Sequence, residues 1–139
     1  MDRLKDKVAL FIGGGSSVGS VALKHYLEEG AKVVLVDVDE KYFERTKELR
    51  DAYGPDRVVT FVGACTVRED MDRATKFTAD TYGRIDILIN FAGFHGSGHA
   101  EDIAKEQWEL AMNVTCTGAY RSIMAVLPYM KEAKRGHIV

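Results

Sequence analysis

Apolar and polar positions follow two rhythms along this chain. Short apolar runs of strand length occur at Lys7–Ile12, Ala31–Val36, Arg57–Val62 and Ile85–Asn90. Between them, apolar residues recur three and four apart, the spacing of one helix face. The first such stretch is Val18–Leu27, with Val18, Val21, Ala22, Leu23, Tyr26 and Leu27 as its apolar set. The second is a charged amphipathic helix over Glu40–Tyr53 that carries Tyr42, Phe43, Leu49 and Ala52 and is stopped by Gly54-Pro55. The third, Glu69–Tyr82, buries Met71, Ala74, Phe77 and, at its margin, Tyr82, and ends at Gly83. A long helical region spans about Lys105 to Lys134, with Gly118 and Pro128 as kink points. Gly136 closes it, and His137-Ile138-Val139 starts a fifth strand.

Strands that alternate with helices predict an α/β fold. The expected form is a doubly wound parallel sheet in three layers, with right-handed crossovers and helices on both faces. No repeat, low-complexity run or linker interrupts the pattern, so residues 1–139 read as one domain. Ligands of such folds gather at the carboxyl ends of the strands, where the strand order switches.

The first strand runs into Gly13-Gly14-Gly15-Ser16-Ser17-Val18-Gly19 and then into a helix. Strand, glycine-rich turn and helix form a phosphate site. The glycines let the backbone approach the ligand, and the first helical turn presents unpaired N–H groups at the positive end of its dipole. The second strand ends on Asp37, about 20 residues on, where a dinucleotide site places the acid that holds the adenosine ribose. A carboxylate there accepts the ribose hydroxyls and repels a 2′-phosphate, and the turn has no Arg or Lys to receive one. This predicts NAD as cofactor.

The turn fits G-x-x-x-G-x-G with Gly13 first, Ser17 in the middle slot and Gly19 last. In this it resembles the short-chain dehydrogenase/reductase (SDR) family, with Ile12 where the family has threonine and Ser17 where it has glycine. The resemblance runs over the whole chain, but over only the first half or so of the family domain. It implies a Rossmann-like fold and hydride transfer between nicotinamide and an alcohol or carbonyl carbon. Cys65-Thr66 stands where the family has Asp-Val against the adenine, and a thiol is a poor acceptor for that bond. Asn90-Phe91-Ala92-Gly93 is similar to the family's Asn-Asn-Ala-Gly: Asn90 approaches the cofactor and Ala92-Gly93 pass the nicotinamide ribose. The resemblance makes Asn113 the asparagine that holds a water in the proton relay. The implied cofactor residues are thus Gly13, Gly15, Ser16, Ser17, Val18, Gly19, Asp37, Cys65, Thr66, Asn90, Ala92 and Gly93, with Asn113 as an auxiliary catalytic residue.

The family's tyrosine acid, with a lysine four residues later, is not among these residues. Tyr26, Tyr42, Tyr53, Tyr82, Tyr120 and Tyr129 are followed four on by Gly30, Thr46, Arg57, Asp86, Met124 and Ala133. The family's serine would fall beyond Val139. Three readings follow: an NAD-dependent oxidoreductase with its catalytic half elsewhere, a non-catalytic nucleotide-binding module, or a half-domain completed by oligomerisation. The expected partners are NAD(H), a small alcohol or carbonyl substrate and a second copy of the chain. The isolated chain is expected to be marginally stable, with a fifth strand as an exposed edge.

Composition narrows the classes further. Hydrophobic residues make up 46% and charged residues 29%, which suits one core, and a net charge of -2 without a basic cluster disfavours nucleic acid and anionic membranes. No apolar run reaches the roughly 18 residues that span a bilayer, and the N-terminus has no signal-peptide pattern, so the cytoplasm is expected. Cys65 and Cys116 lack metal-ligand spacing and read as reduced core or rim residues. His95 and His99 flank a glycine-rich loop that is too irregular for a two-histidine helical metal site, and they are read as lining a substrate entrance. Trp108, Met112, Tyr120, Met124 and Met130 read as core or interface.

Overall fold

β1 (Val8–Ile12) is buried along its whole length and paired on both sides, the position expected of the strand that leads into the turn. The computed structural model describes residues 2–139. β2 (Lys32–Asp37), β3 (Val58–Val62), β4 (Ile87–Asn90) and β5 (His137–Ile138) complete a sheet in the order β3-β2-β1-β4-β5, with every pairing parallel. The register sets Ile12 beside Val36 on one side and beside Asn90 on the other. The carboxyl ends of β1, β2 and β4 therefore lie level.

Alternate residues of the strands enter two separate cores. Leu10, Ile12, Val34, Val36 and Leu88 pack against Met71 and Ala74 of α3 (Arg68–Tyr82) and against Ala125, Val126 and Met130 of α5 (Gly118–Ala133). Ala9, Phe11, Val33, Leu35, Ile87 and Ile89 pack against Leu23 and Leu27 of α1 (Ser17–Glu28), with Phe43. Helices on both faces of a parallel sheet make the three-layer, Rossmann-like arrangement that the hydrophobic pattern predicts.

Three local expectations are corrected. Glu40–Tyr53 is not one α-helix: Glu40–Thr46 is a 3₁₀ helix, and only Lys47–Tyr53 (α2) is α-helical. Asp39 caps the tight start by accepting from the Lys41 N–H at 3.0 Å, and the Tyr42 carbonyl presses on Gly15 of the turn. The long helical region is not uniformly α-helical: its irregular turns lead into Gly118, and the helix is continuous across Pro128. α4 (Lys105–Ala111) passes through a π-helical segment, Met112–Thr117, into α5, and α5 continues through Pro128. The apolar face of α1 is narrower than its periodicity suggests, because Val18 and Val21 are exposed while Gly19, Leu23 and Leu27 are buried. Trp108, Met112 and Tyr120 are exposed as well, whereas Met130 is core.

The amino end of the sheet is closed by charged clasps. Asp86 accepts the Val8 N–H at 2.9 Å and the Arg84 guanidinium at 2.6 Å, with Arg135 3.5 Å away. Burial pushes its carboxyl up, but the Arg84 and Val8 hydrogen bonds and the Arg84 and Lys7 charges outweigh burial and hold it below the usual range. Arg57 donates to the Leu27 and Ala31 carbonyls at 2.8 and 2.9 Å, pinning the end of α1 to the start of β2.

Candidate functional site

The opposite, carboxyl end holds an open cavity of about 410 Å³ between the ends of β1, β2, β3 and β4. Gly13, Ser16 and Ser17 from the turn, Asp37 and Val38 from the end of β2, and Cys65 and Thr66 after β3 line it. Ala92 and Gly93 after β4 face them, together with Phe91, Phe94 and Val114. This is the switch point of the sheet: β1 continues to β2 on one side and abuts β4 on the other.

The glycines of the turn are fixed by geometry. Gly13 has φ +76°, and a Cβ there would stand 2.5 Å from the Ala92 nitrogen. A Cβ on Gly15 would meet the Tyr42 carbonyl at 2.5 Å, and one on Gly19 the Gly14 carbonyl at 2.6 Å. Ser17 needs no such freedom. Among the described residues only Asp6 and Lys134 are non-glycine positions with positive φ, so serine in the middle slot adopts an ordinary backbone. Ser16 caps α1, its hydroxyl accepting from the Gly19 N–H at 3.0 Å. The Ser17 and Val18 N–H groups carry no backbone partner among the described residues. They supply two donors at the positive end of α1, beside the cavity.

Asp37 is bound to the turn as well as to its own strand. One carboxylate oxygen accepts the Gly15 N–H at 3.0 Å and the other the Val38 N–H at 2.9 Å. A carboxylate has about four acceptor positions, so two remain for a ligand. Tyr42 and Arg45 of the 3₁₀ segment line the same end of the cavity. The sequence reading missed both, because their place at the cavity depends on the 3₁₀ conformation of Glu40–Thr46.

The second lip differs from the family pattern in ways the structure explains. The Phe91 ring packs edge-on against Phe11, with centroids 5.2 Å apart, so aromatic packing occupies the place of the missing asparagine. Its backbone remains in the ladder, and the Phe91 and Ala92 N–H groups both donate to the Ile12 carbonyl. Cys65 is buried, its thiol donating to the Val114 carbonyl of the π segment at 3.7 Å. Burial pushes that thiol up, so it stays protonated at neutral pH.

Asn90 and Asn113 do not line the cavity. The Asn90 side-chain oxygen Oδ1 lies 2.8 Å from the Ser122 hydroxyl, which is also 2.7 Å from the Gly118 carbonyl and gives its one proton to one of them at a time. Asn113 accepts from Arg121 at 2.8 Å. Its neighbour Thr115 is the π-segment residue tied to the β4 turn, its hydroxyl accepting from the Phe94 N–H at 3.2 Å. His95 and His99 are exposed, and among the described residues no three His, Cys, Asp or Glu side chains assemble a metal site. Nor is any helix among them long and apolar enough to cross a membrane.

Comparison with known proteins agrees with this fold. The family model for short chain dehydrogenase matches residues 7–139. An uncharacterised oxidoreductase of Staphylococcus epidermidis is 33% identical over 140 aligned residues, which cover all of this chain and 59% of that protein. The BbsD subunit of (2S)-[(R)-hydroxy(phenyl)methyl]succinyl-CoA dehydrogenase from Thauera aromatica is also 33% identical, over 98% of this chain and 54% of its own length. The crystal structure of levodione reductase superposes with a TM-score of 0.90 at 29% identity, covering 98% of this chain and 54% of the other. The chain thus spans little more than half the length of the relatives it matches. With its parallel order β3-β2-β1-β4-β5, its glycine turn and a family match over nearly every residue, the chain belongs to the short-chain dehydrogenase family.

Proposed function

We propose that the carboxyl-end cavity binds NAD(H), and that the protein uses it for hydride transfer between nicotinamide and an alcohol or carbonyl carbon. The observation that carries this reading is the pairing of turn and acid: Gly15 donates to Asp37 while the neighbouring Ser17 and Val18 N–H groups stay free. Such a frame offers donors to a pyrophosphate and acceptors to a ribose within one cradle.

In this reading Gly13, Gly15, Ser16, Ser17, Val18 and Gly19 receive the pyrophosphate, and Asp37 receives the ribose hydroxyls. Cys65 and Thr66 flank the adenine. Ala92 and Gly93, with Asn90 behind them, border the nicotinamide ribose. The bound cofactor would supply the hydride. Asn113 is proposed to support the proton relay through the π segment. No tyrosine within these 139 residues has a lysine four positions on, so the acid/base pair is assigned to other residues of the working enzyme. The exposed Trp108, Met112 and Tyr120 offer a face for a second copy of the chain, and the two free thiols suit the cytoplasm.

The same missing pair favours a second reading, a nucleotide-binding module without catalysis. Calorimetry with NADH tests the shared part. Asp37→Asn, which keeps an acceptor for Gly15, should weaken NADH binding about tenfold through loss of charge-assisted bonds to the ribose. No binding at millimolar NADH would end both readings. Binding without dehydrogenase activity toward any alcohol in the complete protein would leave only the second.

A further inference from the structure

Arg121 has no part in the site described above, yet it stands where the turn after β3, the π segment and α5 meet. Its Nη1 group donates to the Asn113 side-chain oxygen at 2.8 Å and to the Cys65 carbonyl at 3.4 Å. This placement depends on the π segment. In an α-helix, residues eight apart lie roughly 80° apart around the axis, on different faces. Here the Gly118 N–H bonds to the Asn113 carbonyl, five residues back, so one turn takes up an extra residue. The step from Asn113 to Arg121 then comes to about two full turns, and the two side chains share a face. Long helical side chains reach back toward the helix N-terminus, and Arg121 in doing so meets Asn113 and Cys65 together.

No ion pair accounts for this arginine. It is half-buried, and among the described residues it pairs with no acid. Both of its acceptors are neutral oxygens, which offset the desolvation of a cation less than a carboxylate would. What the two bonds achieve is a link between elements. Cys65 lines the cavity from the β3 side, and Val114 lines it from the π segment. The Cys65 thiol donates to the Val114 carbonyl at 3.7 Å, a weak bond, and Arg121 adds a second tie. Without Arg121 this lip would be held by the thiol bond and by packing of the sulfur against Gly118.

We propose that Arg121 is a positioning residue that holds the Cys65–Thr66 lip against the π segment, so that the cavity keeps the width in which NADH binds. The proposal rests on the dinucleotide reading of the cavity. Arg121 itself does not line the cavity; it acts through the Cys65 backbone.

The test compares Arg121→Met and Arg121→Lys with the parent in two measurements, at a temperature that thermal scans place well below every melting point. The first is calorimetric titration with NADH. Arg121→Met should weaken binding about fivefold, and Arg121→Lys, which keeps the charge but is shorter and lacks the fork, should fall between. The second is the rate at which an aromatic disulfide reagent labels Cys65, read in a Cys116→Ser background because the Cys116 thiol is exposed. Labelling should be about fivefold faster in Arg121→Met, since a buried thiol reacts when its surroundings open. Loss of the positive charge alone would push the thiol further up and slow the reaction, so a faster rate reports movement of the lip. Should Arg121→Met fail to fold, Arg121→Lys decides alone. Unchanged NADH affinity, as a merely structural arginine would give, overturns the proposal even if the melting temperature falls. So does weaker binding without faster labelling. In both cases the parent still binds NADH and the dinucleotide reading survives. A parent that binds no NADH removes that reading and this proposal with it.

Discussion

At the amino end of the sheet Asp86 is surrounded by the Val8 N–H, Arg84 and Arg135, and Arg57 caps two carbonyls of the α1–β2 connection. At the carboxyl end the Ser17 and Val18 N–H groups, two acceptor positions of Asp37 and the Arg45 guanidinium all stand without partners among the described residues. The same five strands thus carry one end where charges are matched within the chain and another where they are held apart. Groups without partners give up bonds that would otherwise hold the fold, and here glycines that tolerate close approach and a tightly bonded far end surround them. Stability and binding should therefore separate by location, and each substitution below asks whether they do.

The largest effect is expected at Gly13, the one position where both demands meet. Alanine there would need a positive φ and would drive its Cβ to 2.5 Å from the Ala92 backbone, so the β1 and β4 turns would have to part. Gly13→Ala should cost about 3 kcal/mol or more and remove NADH binding. Urea unfolding together with titration checks it. A stable variant that still binds NADH would show that the two turns are not braced against each other.

Asp86 should behave in the opposite way. Asp86→Ala leaves the Val8 N–H unpaired at a buried site and should cost about 3 kcal/mol, while NADH affinity at low temperature stays near that of the parent. Its titration sharpens the contrast. Because the folded protein holds this carboxyl below its unfolded value of about 3.9, its contribution is complete above that value and is lost as pH falls through the folded value. Thermal scans from pH 6 to pH 2 should show an acid limb that sets in below about pH 4 and flattens in Asp86→Asn. An unchanged limb would place the acid sensitivity elsewhere.

The same contrast sets what could be read from the chain. The strands, the glycine turn and the spacing to Asp37 were legible because each depends on local pattern or on backbone conformations that few residues can adopt, as at Gly13. Ser17 was read as a departure, yet it needs no special φ. The 3₁₀ segment was not legible: Glu40–Tyr53 carries a sound α-helical pattern, and its first turns tighten under a capping Asp39 and a contact with Gly15 from a distant element. Arg45 could be placed only once that was known. The π segment escaped for a related reason. Helical periodicity survives one widened turn, and what marks Met112–Thr117 is the Cys65 thiol on the Val114 carbonyl, a contact 49 residues apart in sequence.

That contact supports the smallest prediction, where the second lip of the cavity meets the helices. A Cβ on Gly118 would stand 2.7 Å from the Cys65 sulfur, too close for either atom to stay in place. Gly118→Ala should destabilise the protein by about 1–2 kcal/mol through overpacking, and Cys65→Ala should cost about as much by leaving a small void. Combined, each removes the reason for the other's loss: the new methyl fills the space the sulfur leaves. The double variant should therefore be more stable than the sum of the two single losses by about 1 kcal/mol or more, which a denaturant double-mutant cycle measures directly. Additive losses would mean that Cys65 and Gly118 are not in contact. The ends of β3 and α5 would then be free to move apart at the Cys65 side of the cavity, and the close packing that fixes the glycine turn would not extend to this second lip.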